Sequence, residues 1–146
     1  MAKLMIKSSK FDIELPLKVK YNLIGGDSGT GKTYLINILR LISDEESFRM
    51  QFNANIDLDR VETIKTKREL KAFDFNRPYK IVFIDRGDYI LTREDYIKIG
   101  KSPSIYFICS RIRREAPPID LKLESFLTLG YSIKDGVVSF RTKEFI

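Results

Sequence analysis

Eight consecutive residues, Gly26-Asp27-Ser28-Gly29-Thr30-Gly31-Lys32-Thr33, constrain this chain more than any other segment. They fit the spacing G-x-x-x-x-G-K-[ST], and the hydrophobic period changes across them. Upstream, Leu17, Val19, Tyr21 and Leu23 alternate with other residues and the run Lys20 to Ile24 ends in Gly25-Gly26, which predicts a strand entering a glycine-bearing loop. Downstream, Leu35, Ile36, Ile38, Leu39 and Ile42 share one broad apolar face, which predicts a helix from Lys32 to about Ser43. Gly26, Gly29 and Gly31 allow backbone shapes and close approaches that a Cβ would obstruct, so successive N–H groups can turn inward on phosphate oxygens. Lys32 brings a mobile ammonium to the same anion, Thr33 offers a hydroxyl to Mg²⁺, and the following helix points its positive end at the site. An ordinary glycine-rich turn with an incidental Lys-Thr would explain the letters but not the strand and amphipathic helix around them.

The 146 residues include no His, no Trp and a single Cys, Cys109. Without imidazole the chain cannot by itself run Ser-His-Asp or Cys-His catalysis or bind zinc through His. One thiol excludes an intramolecular disulfide and a four-Cys zinc site. The length predicts one domain, residues 1–146. No apolar run reaches the roughly 18 residues of a membrane span, and Met1-Ala2-Lys3-Leu4 does not open the apolar stretch of a signal peptide, so a cytoplasmic protein with no membrane association is expected. Lys and Arg outnumber Asp and Glu by 26 to 20, a net charge of +6. That excess suits a polyanion such as a nucleotide or nucleic acid, and equally a plain solvated surface.

Elsewhere the pattern alternates between strand and helix. Leu4 and Ile6, then Phe11, Ile13 and Leu15, flank Ser8-Ser9-Lys10 as a hairpin, and Phe48, Met50, Phe52, Ala54 and Ile56 predict a strand by their alternation. Thr66 with Glu69, and Thr92 with Asp95, have capping-box spacing and predict helices reaching Phe73 and Gly100. Lys80 to Asp85 and Ser104 to Cys109 are apolar runs of the kind buried on both faces of a sheet. The stretch Leu121 to Leu129 fits helix or strand, whereas Asp135-Gly136 between Tyr131–Lys134 and Val137–Phe140 signals a two-residue hairpin.

Several positions outside the glycine loop carry candidate chemistry. Asp85 ends a buried strand, where a carboxylate holds Mg²⁺ directly or through water, or is simply solvated. Asp88 and Glu94 are the carboxylates next along the chain, and Ser110 ends the following buried strand. Arg111, Arg113 and Arg114 form a cationic cluster suited to a transferring phosphoryl group, to nucleic-acid phosphates, or to a charged loop over the sheet end. Lys65, Lys67, Arg68 and Lys71 read first as one solvated face.

G-D-S-G-T-G-K-T, then F-I-D-R-G-D-Y and a short strand, resemble the P-loop NTPases, and among them compact AAA-like or additional-strand ATP-binding proteins of bacteria or phage. The resemblance spans roughly residues 19 to 110, and its specific part is the Walker A run. It implies an α/β fold: a three-layer P-loop core with a mainly parallel sheet, carrying β-hairpin additions at both termini. It implies ATP and Mg²⁺ as ligands, with the nucleotide on Gly26, Asp27, Ser28, Gly29, Thr30, Gly31, Lys32 and Thr33 and the metal on Thr33 and Asp85. Lys32, Asp85, Asp88 and Ser110 are the catalytic candidates it implies, Ser110 in the place of a polar sensor.

The chain departs from active AAA-type ATPases in one position: Arg86 stands where they usually carry Glu beside the Walker B Asp. It has no N-K-x-D, as a GTPase would, no L-S-G-G-Q or switch His, as an ABC ATPase would, and too little length after Ser110 for a helical lid. Three functions are therefore in competition: an Mg²⁺-dependent ATPase completed by a protein partner or homo-oligomer, a non-hydrolysing nucleotide-dependent regulatory or interaction module, and a small-molecule kinase.

Overall fold

In the computed structural model of the protein, residues 3–17, 20–25, 31–110 and 125–144 are described. Strands β1 (Lys3–Lys7) and β2 (Phe11–Pro16) form the predicted hairpin, with Lys7 opposite Asp12 and the Ser8 hydroxyl accepting the amides of Lys10 and Phe11. Strand β3 (Tyr21–Gly25) is buried along its length, and helix α1 (Lys32–Asp44) buries Leu35, Ile36, Ile38, Leu39 and Ile42 as its apolar stripe requires. The strand expected over Phe48 to Ile56 is corrected: Glu46–Arg49 make a short helix, α2, and only Asn53–Ala54 are extended, as β4. Phe48 and Phe52 also have i, i+4 spacing, and their rings pack 5.1 Å apart against Phe11 while Met50 faces solvent.

A 3₁₀ turn (Leu58–Arg60) leads into β5 (Val61–Ile64), a strand the sequence reading missed despite β-branched Val61, Thr63 and Ile64. The Thr66–Glu69 capping box starts α3 (Lys67–Ala72) as its spacing predicts. Strand β6 (Ile81–Ile84) follows, then a one-turn helix α4 (Gly87–Ile90), and α5 (Arg93–Lys101) begins at the Thr92–Asp95 box. Strand β7 (Ile105–Cys109) precedes a final hairpin, β8 (Ser125–Lys134) and β9 (Val137–Glu144). Asp135 and Gly136 turn it with φ of 51° and 78°, the positive pair that a tight hairpin needs.

The nine strands of the described residues join one sheet in the order β4-β1-β2-β9-β8-β3-β7-β6-β5. This corrects the expected three-layer, mainly parallel core with appended hairpins: the sheet is mixed and curls into a half-barrel. Five strands, β1, β2, β4, β8 and β9, enter antiparallel pairings. The terminal hairpins are not additions, because β2 pairs with β9 and β8 pairs with β3, which makes them continuous with the rest.

The reason for the curl lies in where the apolar faces go. Leu4, Ile6, Ile13, Leu15, Leu127, Leu129 and Phe140 all pack into the same core as the buried face of α1. That core also takes Ile24, Ile81, Phe83, Phe107 and Cys109, so strands from both ends of the sheet close around one helix. Among the described residues, β3, β7, β6 and the end of β5 have a second apolar face: Tyr21, Leu23, Tyr106, Ile108, Val82, Ile84 and Ile64 pack with Leu70, Ile90, Tyr96 and Ile99 of α3, α4 and α5. Among the described residues no helix is long and apolar enough to cross a membrane.

Candidate functional site

The parallel pairings β3 with β7, β7 with β6 and β6 with β5 bring the C-terminal ends of four strands to one edge. Ladder bonds continue one residue past β6 and β7: the Asp85 amide donates to the Ile64 carbonyl at 2.8 Å and the Ser110 amide to that of Ile24 at 2.9 Å. Asp85 and Ser110 are therefore held by the sheet itself, and both are buried. In open α/β sheets this edge is where ligands lie.

Helix α1 starts at the same edge. Gly31 precedes it in the left-handed region, φ 94° and ψ 6°, and accepts the Leu35 amide as the first intrahelical bond. A side chain at Gly31 would be strained by that φ and blocked by the Tyr131 ring, since its Cβ would lie 2.6 Å from Cδ1. Among the described residues no side chain caps α1 and its first turn holds no acidic residue, and the N-terminal end of a helix carries positive partial charge. Lys32, only 7% exposed, stands in that first turn.

Thr33 and Asp85, 52 positions apart in the chain, meet here: the hydroxyl lies 3.5 and 3.4 Å from the two carboxylate oxygens. Asp85 is 4% exposed. Burial pushes the Cys109 thiol up to about 12, the Asp85 carboxylate adding to the rise and the Lys32 ammonium opposing it. Cys109 is thus an inert neighbour that senses both charges, a role the sequence reading did not give it.

The other candidates are arranged as follows. Ser110 sits buried at the end of β7, beside Cys109. Asp88 lies in the first turn of α4, and its Oδ1 is buried without a hydrogen-bond partner among the described residues. Glu94 is exposed in the first turn of α5, and Arg86 is exposed with φ 50°, its guanidinium 5.6 Å over the Tyr89 ring. Gly26, Asp27, Ser28, Gly29 and Thr30, like Arg111, Arg113 and Arg114, fall outside the described residues. Tyr131, packed on Gly31, and Tyr34, its neighbour at 5.8 Å, were missed by sequence reasoning, because a contact between the last hairpin and the glycine loop leaves no local signal.

These residues fit Mg²⁺ in one specific way. Among the described residues no cluster of three or more His, Cys, Asp or Glu could hold a metal through side chains alone. One hydroxyl and one carboxylate, both hard oxygen donors, match an ion that keeps most of its shell as water and substrate phosphate. No protein-family model and no curated protein sequence matches the chain.

Proposed function

We propose that the chain is an ATP-binding protein of the P-loop kind, which takes ATP with Mg²⁺ in the cytoplasm and hydrolyses it when a protein partner or a second copy completes the site. The observation that carries this reading is the meeting of Thr33 with Asp85 beside buried Lys32, at the start of α1. The motif Gly26 to Thr33 and a carboxylate at the end of a buried strand are the two parts that a phosphate and metal site of this kind needs. Lys32 and the α1 amides hold the phosphate chain, Thr33 and Asp85 hold Mg²⁺, and the bound metal neutralises phosphate charge.

The dependence on a partner rests on Arg86. An exposed guanidinium, turned over Tyr89, replaces the carboxylate that would orient water next to Asp85. The same observation favours the second reading, a regulatory module that binds ATP without hydrolysing it.

Titration with ATP, GTP and a non-hydrolysable ATP analogue, with and without Mg²⁺, tests the proposal. ATP and the analogue are expected to bind alike, with Mg²⁺ tightening both, and Lys32→Ala to weaken binding by about tenfold or more. Asp85→Asn and Thr33→Ala are expected to remove the Mg²⁺-dependent increment alone. Equal affinity in wild type and Lys32→Ala overturns the reading. Phosphate release by the isolated chain at several turnovers per second removes the requirement for a partner, and transfer to an added acceptor in place of water converts the enzyme to a kinase.

A further inference from the structure

A cleft of about 330 Å³ opens on the face of the sheet opposite α1, away from Lys32 and Thr33. Its floor and walls are apolar: Leu70 from α3, Ile90 from α4, and Phe73 and Phe75 between α3 and β6. The wall is pre-formed. The Phe73 and Phe75 rings meet edge to face at 5.1 Å, and Phe75 stacks on Tyr106 of β7 at 6.1 Å. Such rigidity means that an occupant would not have to order the site on entering.

Three lysines, Lys67, Lys71 and Lys98, stand around this apolar interior. Among the described residues none of them is ion-paired. The one lining carboxylate, Asp95, is committed elsewhere, because it accepts the Thr92 amide at 2.8 Å and the Thr92 hydroxyl at 2.9 Å in the α5 cap. Lys98 is drawn over the Phe75 ring, 5.9 Å from its centroid, and Lys67 over the ring of Tyr89 at 5.1 Å. Like charges converging on an apolar cleft repel one another until an anion joins them.

We propose that this cleft binds a small anionic ligand with a flat apolar body, of the class of aromatic carboxylates, sulfonates and aryl phosphates. The ring lies against Phe73, Phe75, Leu70 and Ile90, and the anionic group faces the lysines. A neutral aromatic molecule would use the floor and leave the lysines unmatched. Inorganic phosphate would use the lysines and leave the floor wet. A pocket of this volume takes one small molecule, and a few polar groups at an apolar site set its orientation.

Anilinonaphthalenesulfonate and its uncharged counterpart N-phenyl-1-naphthylamine share the aromatic body and differ in the anion, so fluorescence titration with the pair separates the two contributions. The sulfonate is expected to saturate a single site about tenfold more tightly than the neutral probe, the sum of three exposed charge contacts, with the preference falling at high salt. The exposed triple variant Lys67→Gln, Lys71→Gln, Lys98→Gln is expected to bind both probes equally, with an unchanged urea midpoint. The same charge change at Lys10, Lys134 and Lys143, and the variant Lys32→Ala, are expected to keep the preference. Equal binding of the two probes by wild type overturns the proposal, and so does an equal loss in both triple variants. An oligothymidylate that displaces the sulfonate and binds more tightly than it does overturns the small-ligand assignment in favour of single-stranded nucleic acid.

Discussion

The two halves of this sheet obey different rules. In β3, β7 and β6 successive residues are buried on opposite faces, so Val82 and Phe83 are both fully enclosed though they point apart. In β1 and β2 only alternate residues enter the core: Leu4, Ile6, Ile13 and Leu15 face α1, while Lys3, Lys7, Asp12 and Glu14 lie on the other side. That outer side is laced with ion pairs, Arg141 to Asp12 and Glu14, Lys3 to Glu14 and Lys7 to Asp12. The comparison also explains where the candidate site lies. Strands that all run one way deliver their C-terminal ends, and with them Asp85, Ser110 and the start of α1, to one edge, whereas antiparallel neighbours divide their ends between two.

The sharpest test of this contrast is a pair of adjacent truncations in each half. Phe83→Ala and Ile84→Ala are expected to cost about 4 and about 3 kcal/mol, because each opens a cavity on its own face of β6. In β2, Ile13→Ala is expected to cost about 3 kcal/mol but Glu14→Ala about 1 or less. Urea denaturation reads all four, and an equal cost for Ile13→Ala and Glu14→Ala would break the comparison by revealing a cover on the outer face.

Gly31→Ala tests the contact between the last hairpin and the residue that opens α1. Its left-handed φ and its contact with Tyr131 predict a loss of about 2 kcal/mol, and Tyr131→Ala in the same chain is expected to return part of it.

The doubly covered half should also govern alkaline stability. Burial raises the Cys109 thiol from 9.0 and the Tyr106 phenol from 10.0, each to about 12. The unfolded chain then releases these protons first and binds fewer than the native state. Stability therefore falls as pH rises above about 9, burial of the Tyr21 phenol, which raises it too, adds to the fall, and Cys109→Ala is expected to flatten the decline. On the acid side, burial pushes Glu69 up, but the Arg40 guanidinium and the amides of Lys65 and Thr66 outweigh it and hold the carboxyl below 4.5. Its contribution is present above that pH and is lost as pH falls.

The smallest effect belongs to the outer strip. Arg141→Ala is expected to cost about 1 kcal/mol in dilute buffer and less near 1 M salt, since its partners are only partly shielded from water.

Much of this was legible in the letters, for reasons that are local. Thr66 with Glu69 and Thr92 with Asp95 announce helix starts because the capping bonds span three residues, and Asp135-Gly136 announces a turn because two positive φ angles are needed there. The run from Phe48 to Ile56 misled because alternation and i, i+4 spacing coincide at Phe48 and Phe52, and packing against Phe11 chose the helix. β5 escaped notice because its four residues are too few to show a period. Thr33 and Asp85 could each be nominated from the sequence, but their separation of 3.4 to 3.5 Å could not.

The sequence by itself determined the strand and the helix that flank the glycine run, the two capped helices, the buried runs ending at Asp85 and Cys109, and the closing hairpin. Each is written within a few residues, where backbone sterics and short hydrogen bonds decide. Only the tertiary structure decided that β2 lies beside β9, that the sheet curls around α1 instead of staying a flat parallel core, and that Tyr131 covers Gly31. Those choices depend on which apolar faces find one another across more than a hundred residues, and burial favours close packing without recording in any one segment which partner it will have.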